Sequence, residues 1–337
     1  MPAQIDIIPN DIVASTLIKY SDKVEENLPR LSPMFKWLQK KSLVTDTGWS
    51  GQNYRQVLET NLNTNVGWYY GKEDLKLDET DHLAWADYYV RQFAGSIIFP
   101  GIDEIMNSGR EQAVNYLASK MKNLEKSMQH MLAASAHFDG TEVDGKGFGG
   151  IRQAVRTNPS TGLLGKIDRA SAEDNLGRKY WQNKVVDLAG LPARGATIPL
   201  GKMTRAYNRI AIDTQNGPNK VDLCVADKSH YIAYIEELQE KQFITDKETA
   251  GFGFTNVMHA GLGCPIVNDY MMPEQDRTFC LDTDTIALRK SKRWMKTLPK
   301  SRPVNQDIEA TTIVGAGNIT YSNLERQGLV FGTPLAA

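Results

Sequence analysis

A stretch of alternating side chains after residue 57 constrains the fold of this chain more than any other feature. In "LETNLNTNVGWYY", residues 58–70, apolar and polar side chains alternate with a period of two, which predicts an unusually long β-strand. The charged turn "GKEDLKLDETD" and a second aromatic-rich run, "HLAWADYYVRQFAGSIIF", follow. We therefore expect a long antiparallel hairpin over residues 51–100.

One face of this predicted hairpin has no evident partner. An isolated two-stranded ribbon is marginally stable in water, and residues 49–99 hold 10 of the 29 aromatic side chains, so the ribbon needs a surface to pack against. That surface is either a larger sheet of the same domain or a neighbouring subunit. For the second interpretation, the candidate subunit-contact residues are Leu58, Leu62, Val66, Trp68, Tyr70, Lys72, Lys76, Trp85 and Tyr89.

A long amphipathic helix is predicted over residues 108–138. Ser108 and Glu111 have the spacing of a capping box, and an apolar stripe at steps of three and four follows. The stripe consists of Val114, Leu117, Met121, Leu124, Met128 and Met131. Stripes of this kind usually pack into a core, and we interpret this one in that way.

The rest of the chain gives an α+β pattern and one arm. Helices are predicted from near Leu200 and in "KSHYIAYIEELQEKQF". Strands are predicted in "VDLCVA", "GCPIVND", "RTFCLDTDTIALR", "ATTIVGAGNITYSN" and "QGLVFG". Residues 1–50 show no compact core and are interpreted as an arm that lies along another surface.

Gly145, Gly147 and Gly150 spell G-x-G-x-x-G, the spacing of a dinucleotide-binding loop. An NAD-dependent oxidoreductase is therefore an alternative function. That chemistry needs a strand before the loop and a helix after it, so that the helix N-terminus faces the phosphates. Here a long helix is predicted before the loop. We favour an architectural role, in which the glycines let the chain reverse after the helix.

The other chemistry-bearing residues match no catalytic or metal motif. The five histidines lack H-E-x-x-H spacing and the three cysteines lack C-x-x-C spacing, so neither a metal nor another cofactor is expected. No signal peptide or long apolar run predicts contact with a membrane. Residues 289–302 carry seven cations and no acid, which fits either a nucleic-acid backbone or a solvated face.

The order of these parts resembles the major capsid proteins of tailed bacteriophages, which have the Hong Kong 97-type fold. The resemblance rests on five stretches in this order: "FGGIRQAV", "TGLLGKIDRA" with "YWQN", "VDLCVADKSHYIAYIEELQEKQF", "GCPIVNDYMMP" leading to "RTFCLDTDTIAL", and "GAGNITYSNLERQGLVFG". Each stretch alone is weak evidence, but their common order is specific. Related chains often have a second glycine where this one has Lys166.

The resemblance implies an α+β fold with an N-terminal arm, an extended hairpin loop, a long spine helix, and peripheral and axial domains. The implied limits are an arm at 1–50, the hairpin loop at 51–100, a peripheral domain with the spine helix at 101–140, the axial domain at 141–284, and peripheral strands with the C-terminus at 285–337.

The resemblance also implies a structural role without catalysis. The chain is expected to self-assemble, as hexamers and pentamers, into the icosahedral head of a tailed phage enclosing double-stranded DNA. The implied partners are a separate scaffolding protein, since the hairpin begins near residue 50, and a portal, whereas the use of a decoration protein is left open. Its expected location is the virion, after assembly in the cytoplasm of the host bacterium. A shell that encloses a protein cargo is the alternative within the same fold.

Overall fold

The computed structural model describes residues 32–41, 53–102, 116–191, 201–238, 256–259, 261–272, 276–302 and 306–334. These residues form two compact units. One contains the described residues of 92–132 and 293–316, and the other those of 32–91, 133–292 and 317–337. The domain limits expected from the sequence remain predictions.

Helices and strands alternate along the described chain. The helices are α1 (Pro33–Lys41), α2 (Tyr116–His137), α3 (Glu142–Gly145), α4 (Ile151–Ala154), α5 (Lys202–Thr214) and α6 (Lys228–Leu238). The strands are β1 (Asn53–Glu59), β2 (Leu83–Tyr89), β3 (Arg91–Pro100), β4 (Leu163–Leu164), β5 (Ile167–Asp168), β6 (Lys184–Asp187), β7 (Leu223–Ala226), β8 (Asn256–His259), β9 (Cys264–Asn268), β10 (Arg277–Leu281), β11 (Ile286–Lys290), β12 (Lys296–Thr297), β13 (Ile308–Tyr321) and β14 (Gly328–Phe331).

The unit containing residues 92–132 is built from β3, β12 and the first part of β13. Both β3 and β12 pair with β13. Leu124 and Met128 of the long helix α2 lie directly over Gly95 of β3, where they fill the space of a side chain. The close approach of helix and strand buries Met128 almost completely.

The other unit has a six-stranded sheet in the order β6-β14-β10-β7-β9-β8. Helices α5 and α6 contact this sheet. Every residue of β7 is buried, as expected for a central strand with both faces covered. Met203, Tyr207 and Ile210 of α5 are completely buried in the same core. The strands and helices predicted beyond residue 140 are confirmed over the described residues, whereas residues 239–243 of the second predicted helix lie outside them.

The long hairpin strand predicted over residues 58–70 is wrong in its limits. β1 ends at Glu59 and pairs with β2 in antiparallel register from Asn53↔Tyr89 to Glu59↔Leu83. Residues 60–82 are not in strands. The second run is two strands, because β3 leaves β2 and pairs with β13. The alternation predicted a strand, but residues 61–67 contain three Asn and one Gly, which are poor strand formers. Their low strand propensity outweighs the alternating pattern.

The long helix is confirmed over the described residues 116–137, whereas the capping box at Ser108 lies outside them. The predicted stripe is correct at Met128 but wrong at Met131, which is exposed. Leu132 and Ala136 are buried instead. Alternate steps of three and four give the stripe a period of 3.5 residues, whereas the helix has 3.6 residues per turn. The stripe therefore drifts around the helix. After Met128 the next buried position is Leu132, four residues on, and not Met131, three residues on.

Helix α1 lies within the predicted arm, yet it belongs to the core of its own chain. Met34, Phe35 and Leu38 are buried. Trp37 Nε1 donates a hydrogen bond to Thr283 Oγ1 at 3.2 Å. The interpretation that residues 1–50 lack a core therefore fails for this helix, because its three apolar side chains share one face. The remainder of the arm lies outside the described residues.

Candidate functional site

The base of the hairpin is anchored through one face of β1 and β2. Leu58, Ala86 and Tyr88 are on this face and are at most 5% exposed. The Tyr88 hydroxyl donates a hydrogen bond to the Tyr321 carbonyl oxygen at 2.9 Å. Leu58 was a candidate for contact with another subunit, but the structure buries it against its own chain. The hairpin therefore leaves the body from a fixed base.

A tight turn between β4 and β5 holds β2. Gly165 and Lys166 both have positive φ, 59° and 65°, the pattern of a type I′ hairpin turn. The Asp87 amide donates to the Gly165 carbonyl oxygen at 2.9 Å. Lys166 stands where a second glycine is expected from the resemblance, and it adopts the left-handed conformation itself. Its ammonium group lies 3.3 Å from the Asp87 carboxylate.

Asp87 is the charged centre of this anchor. Its carboxylate accepts two hydrogen bonds from the Arg55 guanidinium, at 2.9 and 3.3 Å, across the β1–β2 pair. The hydrogen bond from Arg55 lowers the pKa of Asp87, and the Lys166 ammonium lowers it further. Asp87 is thus a buried carboxylate that joins β1, β2 and the β4–β5 turn.

We expect Asp87→Ala to loosen the hairpin base, because Arg55 and Lys166 then lose their shared acceptor. Amide hydrogen exchange in β1 and β2 should become faster, while exchange in the six-stranded sheet stays unchanged. Asp74→Ala is the matched control, since Asp74 is exposed in the hairpin. Equal exchange in both variants would show that the anchor does not depend on this carboxylate.

Beyond the base, side chains replace the backbone ladder. The Thr60 amide still donates to the His82 carbonyl oxygen at 2.9 Å. Asn61 Nδ2 then donates to the Asp81 carbonyl oxygen at 2.7 Å, and Asn65 Nδ2 donates to the Asp78 carbonyl oxygen at 2.6 Å. Asparagine side chains compete with backbone pairing in this way, so side-chain hydrogen bonds join the two sides of the segment where the regular ladder has ended.

The hairpin tip, which we define as residues 62–77, carries exposed apolar side chains. Trp68 has 104% of its reference accessibility, so its ring contacts nothing in the described chain. The other exposed apolar residues of the tip are Leu62, Val66, Tyr69, Tyr70, Leu75 and Leu77. Soluble proteins rarely leave so many apolar groups together in solvent unless they cover a partner.

The remaining candidate contact residues are also accessible. Lys72 and Lys76 are exposed in the tip. Trp85 and Tyr89 are about half exposed on the outer face of β2. The guanidinium of Arg55 lies 5.3 Å from the Trp85 ring centroid, and the Lys166 ammonium lies 5.2 Å from that of Tyr89. Eight of the nine candidates thus have surface available for a partner.

Comparison with solved structures gives full-length matches. The chain is similar to the capsid asymmetric unit of cyanophage A-1(L), with a TM-score of 0.66 and 13% identity, over 98% of this chain and 99% of that one. It is also similar to the capsid of a native GTA particle, with a TM-score of 0.62 and 9% identity over 93% and 94% of the two chains. The capsid of Myoviridae phage XM1 matches with a TM-score of 0.55 and 10% identity over 94% and 97%.

The chain has the Hong Kong 97-type capsid fold. The fold class predicted from the sequence is confirmed by these matches. No protein-family model and no curated protein sequence matches the chain. The likeness to phage capsids is therefore one of structure, at 9–13% identity.

In this capsid fold the glycine motif lies where the chain turns at the end of the long helix. A helix precedes it, as expected, and α3 and α4 are only short helices. The Gly145 amide donates to the Thr141 carbonyl oxygen at 3.1 Å, and the Gly150 amide donates to the Phe148 carbonyl oxygen at 2.9 Å. Two of the three glycine amides are thus engaged within the loop, and a helix instead of a strand precedes it.

Sequence reasoning missed a buried polar node at the end of the long helix. Ser32, His137 and Asp269 are each at most 1% exposed. His137 Nε2 lies 3.1 Å from Asp269 Oδ2 and 3.2 Å from Ser32 Oγ, and the Ser32 hydroxyl donates to the same carboxylate oxygen. A catalytic triad places the serine and the carboxylate on opposite ring nitrogens. Here both contact Nε2, so the node ties α1 and β9 to the long helix.

We expect the node to make stability pH-dependent through Asp269. Burial alone would raise the pKa of Asp269, but the hydrogen bonds from His137 and Ser32 lower it below its ordinary value. The stabilisation is therefore complete above about pH 5 and is lost as the pH falls through the folded-state pKa. Thermal melts of the wild type and Asp269→Asn should differ at pH 7 and converge in acid. A constant difference across this range would contradict the assignment.

Arg169 is a second buried group that the sequence did not single out. Its guanidinium donates to the carbonyl oxygens of Gln153 and Ala154 at 2.7 and 2.6 Å, at the end of α4. Burial lowers its pKa to about 10. The cation thus satisfies the open carbonyl groups at a helix C-terminus, which is favourable for positive charge.

The described residues offer little other chemistry. No group of three or more His, Cys, Asp or Glu side chains among them is placed to hold a metal ion. None of the helices described is long and apolar enough to cross a membrane. Cys224, Cys264 and Cys280 are buried free thiols, and burial raises the pKa of Cys224 well above its ordinary value.

Proposed function

We propose that the chain is the major capsid protein of a tailed bacteriophage, which self-assembles into an icosahedral head around double-stranded DNA. The observation that carries the proposal is the exposed apolar hairpin tip on a chain whose full length matches capsid subunits. A subunit that ends in such a tip is incomplete until another surface covers it. In closed symmetry, one such contact repeats at every subunit.

The proposal includes a purely structural role. The subunits form hexamers and pentamers, a separate scaffolding protein directs their curvature, and a portal completes the head in the virion. The near-zero net charge of −1 fits a wall that neither repels DNA strongly nor holds it tightly. Obligate interfaces of this type bury about 2,000–5,000 Å².

Negative-stain electron microscopy of the purified chain tests this function. We expect closed particles, tubes or sheets of hexamers, alone or after a scaffolding protein is added. Analytical ultracentrifugation over a hundredfold range of concentration provides the control, because a shell protein shows a sharp onset of assembly. A chain that stays monomeric throughout, with and without scaffold, contradicts the proposal.

A further inference from the structure

A pocket of about 280 Å³ lies at the base of the hairpin. The end of β2, the start of β3, the β4–β5 turn and the loop that follows the long helix all contribute to its lining. Every lining residue belongs to the unit that contains residues 133–292. Pockets for drug-sized ligands measure about 300–1,000 Å³, so this one has the size for a small ligand.

Two side chains of the pocket lining have hydrogen-bond donors that remain unused. Arg91 forms no hydrogen bond or ion pair with another described residue, and its Nε is buried without an acceptor. The side-chain amide of Gln153 also forms no hydrogen bond to a described residue. It lies over the glycine loop, where it occupies the space that a Cβ at Gly149 would need. A buried donor without an acceptor is unfavourable, so the pocket is short of acceptors.

The charge of the pocket lining is positive. Its charged residues are Arg91, Lys166 and Asp87. The Asp87 carboxylate already accepts a hydrogen bond from Arg55 at 2.9 Å and lies 3.3 Å from the Lys166 ammonium. These two cations balance the carboxylate before Arg91 is counted. The charge of Arg91 is therefore not neutralised within the described chain.

We infer that this pocket binds a small oxyanion of the type of inorganic phosphate. A guanidinium group presents its donors in one plane, which matches the oxygens of a phosphate or carboxylate group. The Gln153 amide and the Lys166 ammonium supply further donors from other sides of the pocket. Arg91 begins β3 and Gln153 lies in α4. A bound oxyanion therefore joins the base of the hairpin to the segment that follows the long helix.

Isothermal titration of dispersed, full-length protein with inorganic phosphate tests this site. We expect binding at millimolar phosphate or below, and none with sodium chloride at equal ionic strength. Arg91→Gln should weaken phosphate binding by about tenfold or more, because a hydrogen bond between two charged groups is lost. Arg209→Gln is the matched control, since Arg209 is exposed on α5 and does not line the pocket. Its affinity for phosphate should be that of the wild type.

Lys166→Gly provides a second variant in case Arg91→Gln does not fold. Lys166 has a φ of 65°, a conformation that glycine adopts without strain, so the turn should persist while one cation is lost. Phosphate binding should weaken about two- to fivefold, because the ammonium is half exposed. In the wild type, phosphate should slow amide hydrogen exchange over residues 85–91 and 149–154. Exchange in the six-stranded sheet should stay unchanged.

The outcomes separate this inference from the proposed function, because the titration uses dispersed subunits and does not require assembly. No binding of phosphate, or equal affinity in the wild type and both pocket variants, overturns the inference. Phosphate binding that disappears in particles, together with failure of Arg91→Gln to assemble, would mean that an acidic side chain of a neighbouring copy fills the pocket. The inference of a free ligand would then be wrong. Binding that persists in particles and depends on Arg91 supports it.

Discussion

Replacing Trp68, Tyr69 and Tyr70 together with serine is expected to abolish assembly and to leave the melting temperature of the free subunit unchanged. These three side chains are exposed in the described chain, so their loss removes little from the folded subunit. A buried aromatic ring covers about 150–250 Å², which corresponds to about 4–6 kcal/mol gross for each ring. Even a net loss of about 4 kcal/mol raises the assembly concentration roughly a thousandfold.

The matched control replaces the same three residues with phenylalanine. This change keeps most of the apolar area, because it removes only the two tyrosine hydroxyls and part of the Trp68 indole, so particles should still form. Sedimentation measures assembly, and calorimetry measures the stability of the subunit. If the serine variant assembles at the wild-type concentration, the tip does not carry the contact. If the subunit itself unfolds, the tip is part of the core.

Gly150→Ala is expected to prevent folding or to destabilise the chain by about 3 kcal/mol or more. A Cβ at Gly150 would lie 2.3 Å from the Phe138 carbonyl oxygen, 2.5 Å from that of Ala136 and 2.6 Å from that of Ser135. These atoms belong to the backbone at the end of the long helix and cannot rotate away. The loop packs against the helix only because position 150 has no side chain.

Gly190→Ala is the control for this prediction. The nearest atom to its added Cβ is the Asp187 carbonyl oxygen at 3.7 Å, an ordinary contact. Urea unfolding should show a large loss for Gly150→Ala and a change of about 0.5 kcal/mol or less for Gly190→Ala. Similar losses of unfolding free energy in the two variants would show that Gly150 is not required for the close packing of the loop against the helix.

Local patterns predicted most of the secondary structure. The buried strand at 223–226 and the helix that follows were correct because their periodicity and their tertiary environment agree. The hairpin shows the opposite case. Alternation predicted a strand over residues 58–70, but Asn61 and Asn65 bond to the facing backbone through their side chains, and the regular ladder ends at Glu59.

Contacts between distant parts of the chain could not be read from the sequence. Ser32 and His137 are 105 positions apart, and His137 and Asp269 are 132 apart. No local spacing links them, and each alone is an ordinary polar residue. The exposed tip was easier to anticipate, because the sequence of the hairpin contains more apolar and aromatic side chains than a two-stranded ribbon can bury by itself. Which of its residues are buried at the base, as Leu58 is, required the structure.

Hydroxyl-radical footprinting of the hairpin tip in dispersed and assembled protein tests the central claim most directly. We expect Trp68, Tyr69 and Tyr70 to be oxidised rapidly in free subunits and to be strongly protected in particles, because a second copy covers them. Ile212, which is exposed on α5, provides an internal reference. Equal oxidation of the tip in both states would show that no subunit covers it, and the account of the hairpin would be wrong.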